Sequence, residues 1–298
     1  MYAGSLLVLF VMLIVQVFMV LRMIPGFRPS FIKALPERNE IYHFGFWSWL
    51  QTVISLIAYQ MDRFIIAWFL GTATVTYYVL ASTITNHLHM AFVAAVSWLL
   101  PKISRLKAAL NDTKKHFYTI RTFSIGFSLL IIATLYFVSE PLFTLWLGHE
   151  KYLKFVGFFR LFLIFEAFLV LSIVPNQYLN AIKSLSFSTA LEFIFKSGIV
   201  VFMILFFSIA GTAESLIWGQ ITALVLFMPL EYYLVNDRIL KGNAFKETVL
   251  AMLPSFFISA AILWTNWIGT AVLFSLGCLS YYLVYFRDEH FERRLLTE

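Results

Sequence analysis

The residues of this chain that could do chemistry are few, and most stand inside apolar runs. In AYQMDRFIIAWFLGTATVTYYVLAS, residues 58–82, Asp62 and Arg63 sit side by side. Arg160 and Glu166 interrupt a second such run, and Glu192 and Lys196 a third. A charge at the centre of a lipid-embedded helix costs about 2.5–3.5 kcal/mol on insertion scales, so each must find a partner, an interior position or a water-filled path. These six residues are therefore candidates for lining the route of a polar or ionic substrate.

Their positions weigh differently. Asp62 lies roughly 12 Å from the outer end of its span at 1.5 Å per residue. Arg63 is displaced from it by about 100° around the helix, so the two neighbours cannot simply pair. Glu166 is the most deeply placed acid, where a short carboxylate cannot snorkel to water. Arg160, nearer the outer end of the same span, either snorkels outward or faces the interior. Glu192 precedes Lys196 by four residues, the favourable orientation for an in-helix pair, which is the alternative to a transport role. Glu231 is expected to reach water at the cytoplasmic end of its span, and Arg121 to belong to the basic loop before it.

Catalysis finds little support in the residues. No nucleophile, base and orienting acid can be assembled from these spans, nor a paired-carboxylate site or a phosphate-binding glycine loop. The six His residues form no metal spacing, and His87 and His89, two apart, fall on different helix faces and read as near-surface polar residues. A single cysteine, Cys278, excludes an intrachain disulfide. We expect no enzyme, catalytic residue, cofactor or metal site.

The elements that must position these charges follow from composition. Of 298 residues 61% are apolar and 13% charged, with a mean hydropathy of +0.83, which excludes a soluble globular class. Runs of about 20 apolar residues recur along the whole chain. The fold class is an all-α integral membrane protein, a polytopic bundle of about nine transmembrane helices. Its spans are read at 3–21, 46–70, 76–100, 118–138, 155–176, 189–209, 215–235, 248–264 and 270–286. Sixteen of the 22 Lys and Arg residues fall in alternate connections, and the intervening ones hold only Lys151 and Lys154. The positive-inside rule then puts the C-terminus in the cytoplasm and the N-terminus outside, and the net charge of +6 reflects topology rather than nucleic acid. Sixteen residues around SEPLFTLWLGHEKY, 139–154, form the longest outer connection, read as an interfacial turn. The apolar run that opens the chain has no basic region before it and reads as part of something longer.

Three stretches in succession resemble a known family. They are YQMDRFIIAWFLGTATVTYYVLAS, WLLPKISRLKA, and PLFTLWLGHEKY followed after a further span by NQYLNAIKSLSFS. In this order they are similar to the second half of polysaccharide-biosynthesis flippases, the O-antigen (Wzx-type) exporters of the multidrug/oligosaccharidyl-lipid/polysaccharide superfamily. The resemblance is best over residues 45–240. It implies two six-helix bundles around a central cavity, with 1–21 the last helix of a first bundle, 22–45 a cytoplasmic linker, 46–235 the second bundle, 248–286 an additional helix pair and 287–298 a cytoplasmic tail. The implied function is flipping an undecaprenyl-diphosphate-linked oligosaccharide across the bacterial inner membrane by alternating access. Partners would be that substrate, membrane lipids and a separate chain carrying the first bundle. From the burial of the charges, and not from any family residue carried over, Arg63, Arg160 and Lys196 would attract the diphosphate and sugar head, and Asp62 and Glu166 would couple movement to protons or sodium. Another exporter of the superfamily, a peptidoglycan-precursor flippase or drug/cation antiporter, a membrane-embedded glycan polymerase or ligase, and an inactive fragment are the alternatives.

Overall fold

The computed structural model describes residues 38–98, 114–182, 184–240 and 243–264, with shorter stretches between 10 and 22, 101 and 105, and 269 and 279. Contacts divide the chain into Met1–His43 and Phe44–Glu298. Within the first unit the described residues from 10 to 22 are helical. The expected amphipathic stretch around residues 31–35 and the tail 287–298 lie outside the described residues.

The second unit is built from helices: α1 (Arg38–Leu70), of which it holds residues 44–70, α2 (Thr72–Val96), α3 (Lys114–Leu147), α4 (His149–Leu169), α5 (Ile173–Ala181), α6 (Leu185–Ala210), α7 (Ala213–Leu234) and α8 (Ala244–Leu263). A 3-10 turn, Val170–Ser172, joins α4 to α5, and a π-helical turn, Val235–Leu240, extends α7. Among the described residues seven helical stretches are long and apolar enough to cross a membrane, with α4 and α5 counting as one. Most of their lipid-side surface is bare apolar side chain, including Trp68, Phe64 and Leu145. This is a polytopic helical membrane protein. The expected span 3–21 falls largely outside the described residues, and of the expected span 270–286 the described residues, 270 and 272–279, are helical.

One sequence reading changes. The expected interfacial turn over 139–154 is helix almost throughout: α3 runs on through Pro141 to Leu147, and α4 begins at His149. At 34 residues α3 is about 50 Å long, well beyond the hydrocarbon thickness. The reversal is made by Gly148 alone, at φ 81° and ψ 156°, and Gly71 makes the α1–α2 reversal the same way at φ 80° and ψ 170°. That combination is open almost only to glycine. Gly211, at φ 66° and ψ 15°, caps α6 in the left-handed conformation before α7. Successive helices run up and down, so these three tight reversals fall at one end of the bundle.

The long helix through α4 and α5 is central, packing on α2, α3, α7 and α8. Eleven of the 21 residues of α4 are buried, among them Phe155, Phe159 and Phe162. Phe143 of α3 meets Phe155 and Phe159 edge-on, both at 4.8 Å between ring centroids. Below this aromatic layer the helix breaks. Pro175 has no N–H to offer the Leu171 carbonyl four residues back, and the Tyr232 hydroxyl of α7 donates to that oxygen at 2.8 Å instead. The neighbouring Ala167 carbonyl accepts from Ser255 Oγ of α8 at 2.7 Å. The interruption is thus satisfied by side chains from two other helices, as low-dielectric surroundings require. Gly219 lets α7 lie directly on α6: a Cβ there would come 2.7 Å from the Phe202 carbonyl carbon and 2.8 Å from Met203 Cα. Close approach at a small residue is how helices gain contact where lipid removes the hydrophobic drive to associate.

Candidate functional site

Polar side chains from five helices meet in one cavity of about 100 Å³. On α2 the polar positions Tyr78, Ser82, Thr85, Asn86 and His89 recur every three or four residues and so share a face of the helix. Four of them, Ser82 through His89, line the cavity, joined by Asp62 from α1, Glu166 from α4, Lys196 from α6 and Gln220 from α7. Phe162 and Phe165 supply apolar wall.

Each acid is held by donors. Asp62, 8% exposed, accepts from the Tyr78 hydroxyl at 2.9 Å through Oδ2 and from the Arg63 backbone N–H at 2.7 Å through Oδ1. Tyr78 is fully buried between the edges of Phe158 and Phe162, and its oxygen accepts in turn from Gln220 Nε2 at 3.1 Å. The result is a relay from α7 through α2 to α1. Glu166, 1% exposed, pairs with His89, whose Nδ1–H donates to Oε1 at 2.9 Å. This pair ties α2 to α4 one turn before the break in the central helix. A buried carboxylate and an imidazole in direct contact can pass a proton between them with no change of backbone.

Of the six candidates from the sequence, the cavity therefore gathers Asp62, Glu166 and Lys196. The other three lie off it. Arg63 is half-buried on α1. Arg160 is exposed, with its guanidinium carbon 5.5 Å from the centre of the Tyr136 ring. Glu192 is half-buried and accepts a short hydrogen bond from Ser55 Oγ of α1.

Three expectations are overturned by burial. His89 is not a surface polar residue but half of the Glu166 pair; depth along the helix was the missed signal. Arg121 does not belong to a loop: it is 1% exposed, and its Nη1 donates to Glu247 Oε2 of α8 at 2.8 Å, with the guanidinium stacked 4.9 Å from the Tyr118 ring centre. Tyr118 donates to Asn236 Oδ1 at 2.8 Å, extending this polar group into the π-helical turn. Glu231 does not reach water, being 8% exposed with Oε1 buried and lacking a hydrogen-bond partner.

A family model described as polysaccharide biosynthesis protein matches residues 2–156, more than half of the 298-residue chain. The chain belongs to the polysaccharide biosynthesis protein family. Family membership thus covers α1 to α3 and the start of α4, including Asp62, Tyr78 and His89, whereas Glu166, Lys196 and Gln220 lie beyond the matched segment. The match begins ahead of, and stops short of, the 45–240 segment on which the sequence resemblance rested. Comparison with curated proteins gave no match, and comparison with solved structures gave none.

Proposed function

We propose that this polysaccharide biosynthesis protein is a flippase for a lipid-linked oligosaccharide, undecaprenyl-diphosphate-linked, in the bacterial inner membrane. The observation that carries the reading is the charged cavity of Asp62, His89, Glu166 and Lys196, enclosed by helices that are otherwise apolar. In lipid, such a set of groups is expensive unless polar matter passes through or stays there. Family membership supplies the glycan context. Lys196 serves the phosphate and sugar head, while Asn86 and Gln220 offer amide donors and acceptors that suit hydroxyls. The His89–Glu166 pair couples movement to protons. The protein acts without covalent chemistry, with the basic connections in the cytoplasm, the N-terminus outside and the C-terminus inside. Its working form includes a further helical bundle that closes the cavity, on the same polypeptide or a separate one.

Complementation tests this in cells lacking the cognate flippase, with the chain alone and with a co-expressed first bundle. Restored surface polysaccharide is the expected result for at least one of the two. If both forms insert normally and neither restores it, the transport reading is lost.

A further inference from the structure

The Glu166–His89 pair has one open side. His89 Nδ1 is 2.9 Å from Glu166 Oε1, and the carboxylate is almost fully enclosed, with 2% of its side chain exposed against 21% for the imidazole. His89 lines the cavity. With Nδ1 committed to Glu166, the nitrogen on the far edge of the ring, Nε2, makes no hydrogen bond to any described residue. What Nε2 offers a ligand depends on protons. With Glu166 ionised and the imidazole neutral, Nδ1–H donates to Oε1, Nε2 is a bare lone pair, and the pair carries one negative charge. One added proton on Nε2 makes that atom a donor and brings the pair to zero charge, while the Nδ1–Oε1 contact between α2 and α4 is kept. The open side thereby changes from one that repels an anion to one that binds it, with no movement of either helix.

The rest of the lining fits the same ligand. Asp62 is already supplied by the Tyr78 hydroxyl and the Arg63 N–H. Asn86, three residues before His89 on the same face of α2, and Lys196 of α6 make no hydrogen bond or ion pair with a described residue and are left as donors. Asp62, His89, Glu166 and Lys196 are the titratable residues lining the cavity among those described. Gln220 of α7 is neutral, α5 beside α2 carries no charged residue, and on α3 Arg121 is taken by Glu247. At about 100 Å³ the cavity is below the roughly 300–1,000 Å³ of pockets for drug-sized ligands, so it admits one small group, such as a phosphate, rather than a glycan.

We infer that His89 Nε2 is a ligand-contacting atom of this cavity, where a phosphate or diphosphate binds together with one proton taken up on Nε2 and leaves when that proton is lost. The proton is taken from water and returned to it, and no other bond is made or broken. Anion and proton then favour each other's binding equally, as linkage requires. This coupling rests on the transport reading for its biological sense, but it is measured without transport.

The experiment measures binding to the purified full chain in lipid nanodiscs, with farnesyl diphosphate and inorganic pyrophosphate as probes, at about pH 5.5 and about pH 8, either side of the ordinary imidazole pKa of about 6.5. The probes titrate too, so each variant is read against the unaltered protein with the same probe. The ratio of affinity at the lower pH to that at the higher should be at least tenfold larger for the unaltered protein than for H89Q. E166Q should lose the ratio by the opposite route: the substituted amide can donate to Nδ1, which leaves a hydrogen on Nε2 without an added proton, so binding at the higher pH tightens about tenfold. Tighter binding of farnesyl diphosphate than of pyrophosphate assigns the anion to a lipid head group, and equal or weaker binding assigns it to a soluble phosphate. Failure of both probes to bind the unaltered protein overturns the inference, as does a ratio unchanged in H89Q, or an E166Q protein that binds no tighter at the higher pH. H89N provides the same comparison should H89Q not insert. Proton-linked binding beside failed complementation removes the transport reading alone, and restored polysaccharide beside a ratio unchanged in H89Q removes only this inference.

Discussion

At the scale of single residues, the cavity works because each carboxylate within it has a donor of its own. Removing the donor should be as informative as removing the acid. E166Q and H89A are expected to reduce transport about tenfold or more in the complementation assay while leaving insertion unchanged, and full transport in either would make the pair structural. Tyr78→Phe removes the hydroxyl that Asp62 and Gln220 share and leaves a buried carboxylate oxygen short of a donor, a loss of about 1–3 kcal/mol readable by thermal or detergent unfolding. Arg121→Met should cost about 3–5 kcal/mol by stranding Glu247, and the R121M/E247M double variant should be the more stable of the two. How much of this was legible in the sequence depends on what each residue type must do. Asp62, Glu166 and Lys196 stood out because charge in an apolar run always needs explaining. Tyr78, Asn86 and Gln220 did not, since neutral polar groups pass unremarked until a neighbouring helix shows what they bond. His89 was legible through its depth along the span and through the face it shares with Ser82, Thr85 and Asn86.

At the scale of elements, hydropathy located the helices but not their ends. The expected span 118–138 is half the story of α3, because Ser139, Glu140 and Pro141 look like a turn in sequence and yet sit within continuous helix. Glycine was the better signal, since the reversals occur at Gly71, Gly148 and Gly211 and nowhere in the polar stretch beside them. G71A and G148A are each expected to destabilise by about 1–3 kcal/mol, because their backbone region admits almost no other residue. G211N should be nearly neutral, as asparagine tolerates the left-handed conformation; equal losses at all three sites would contradict this. The break after α4 invites a paired test. Tyr232→Phe should cost about 1 kcal/mol by exposing the Leu171 carbonyl, and less in a Pro175→Ala background, where residue 175 regains the N–H that bonds it. Nothing in the sequence announced Tyr232 or Ser255 as the partners of this break, since both contacts join helices far apart along the chain.

At the scale of the whole molecule, a multi-pass helical protein of the polysaccharide biosynthesis family presents five helices to one charged cavity, and the test of its role is whether surface polysaccharide returns in deficient cells. The class was legible from composition alone; which helices meet was not, because lipid-facing and protein-facing apolar residues look alike in sequence. The three glycine reversals carry one consequence for how such a body can move. A hairpin whose helices meet across one or two residues behaves like tongs riveted at the tip: α1 with α2 and α3 with α4, each joined by a single glycine, and α6 with α7, joined by Gly211 and Thr212, are held at their glycine ends and have slack only at the other. Spin labels placed across a hairpin near its rivet should keep a fixed separation between conformations of the protein, with any change of distance growing toward the opposite jaws.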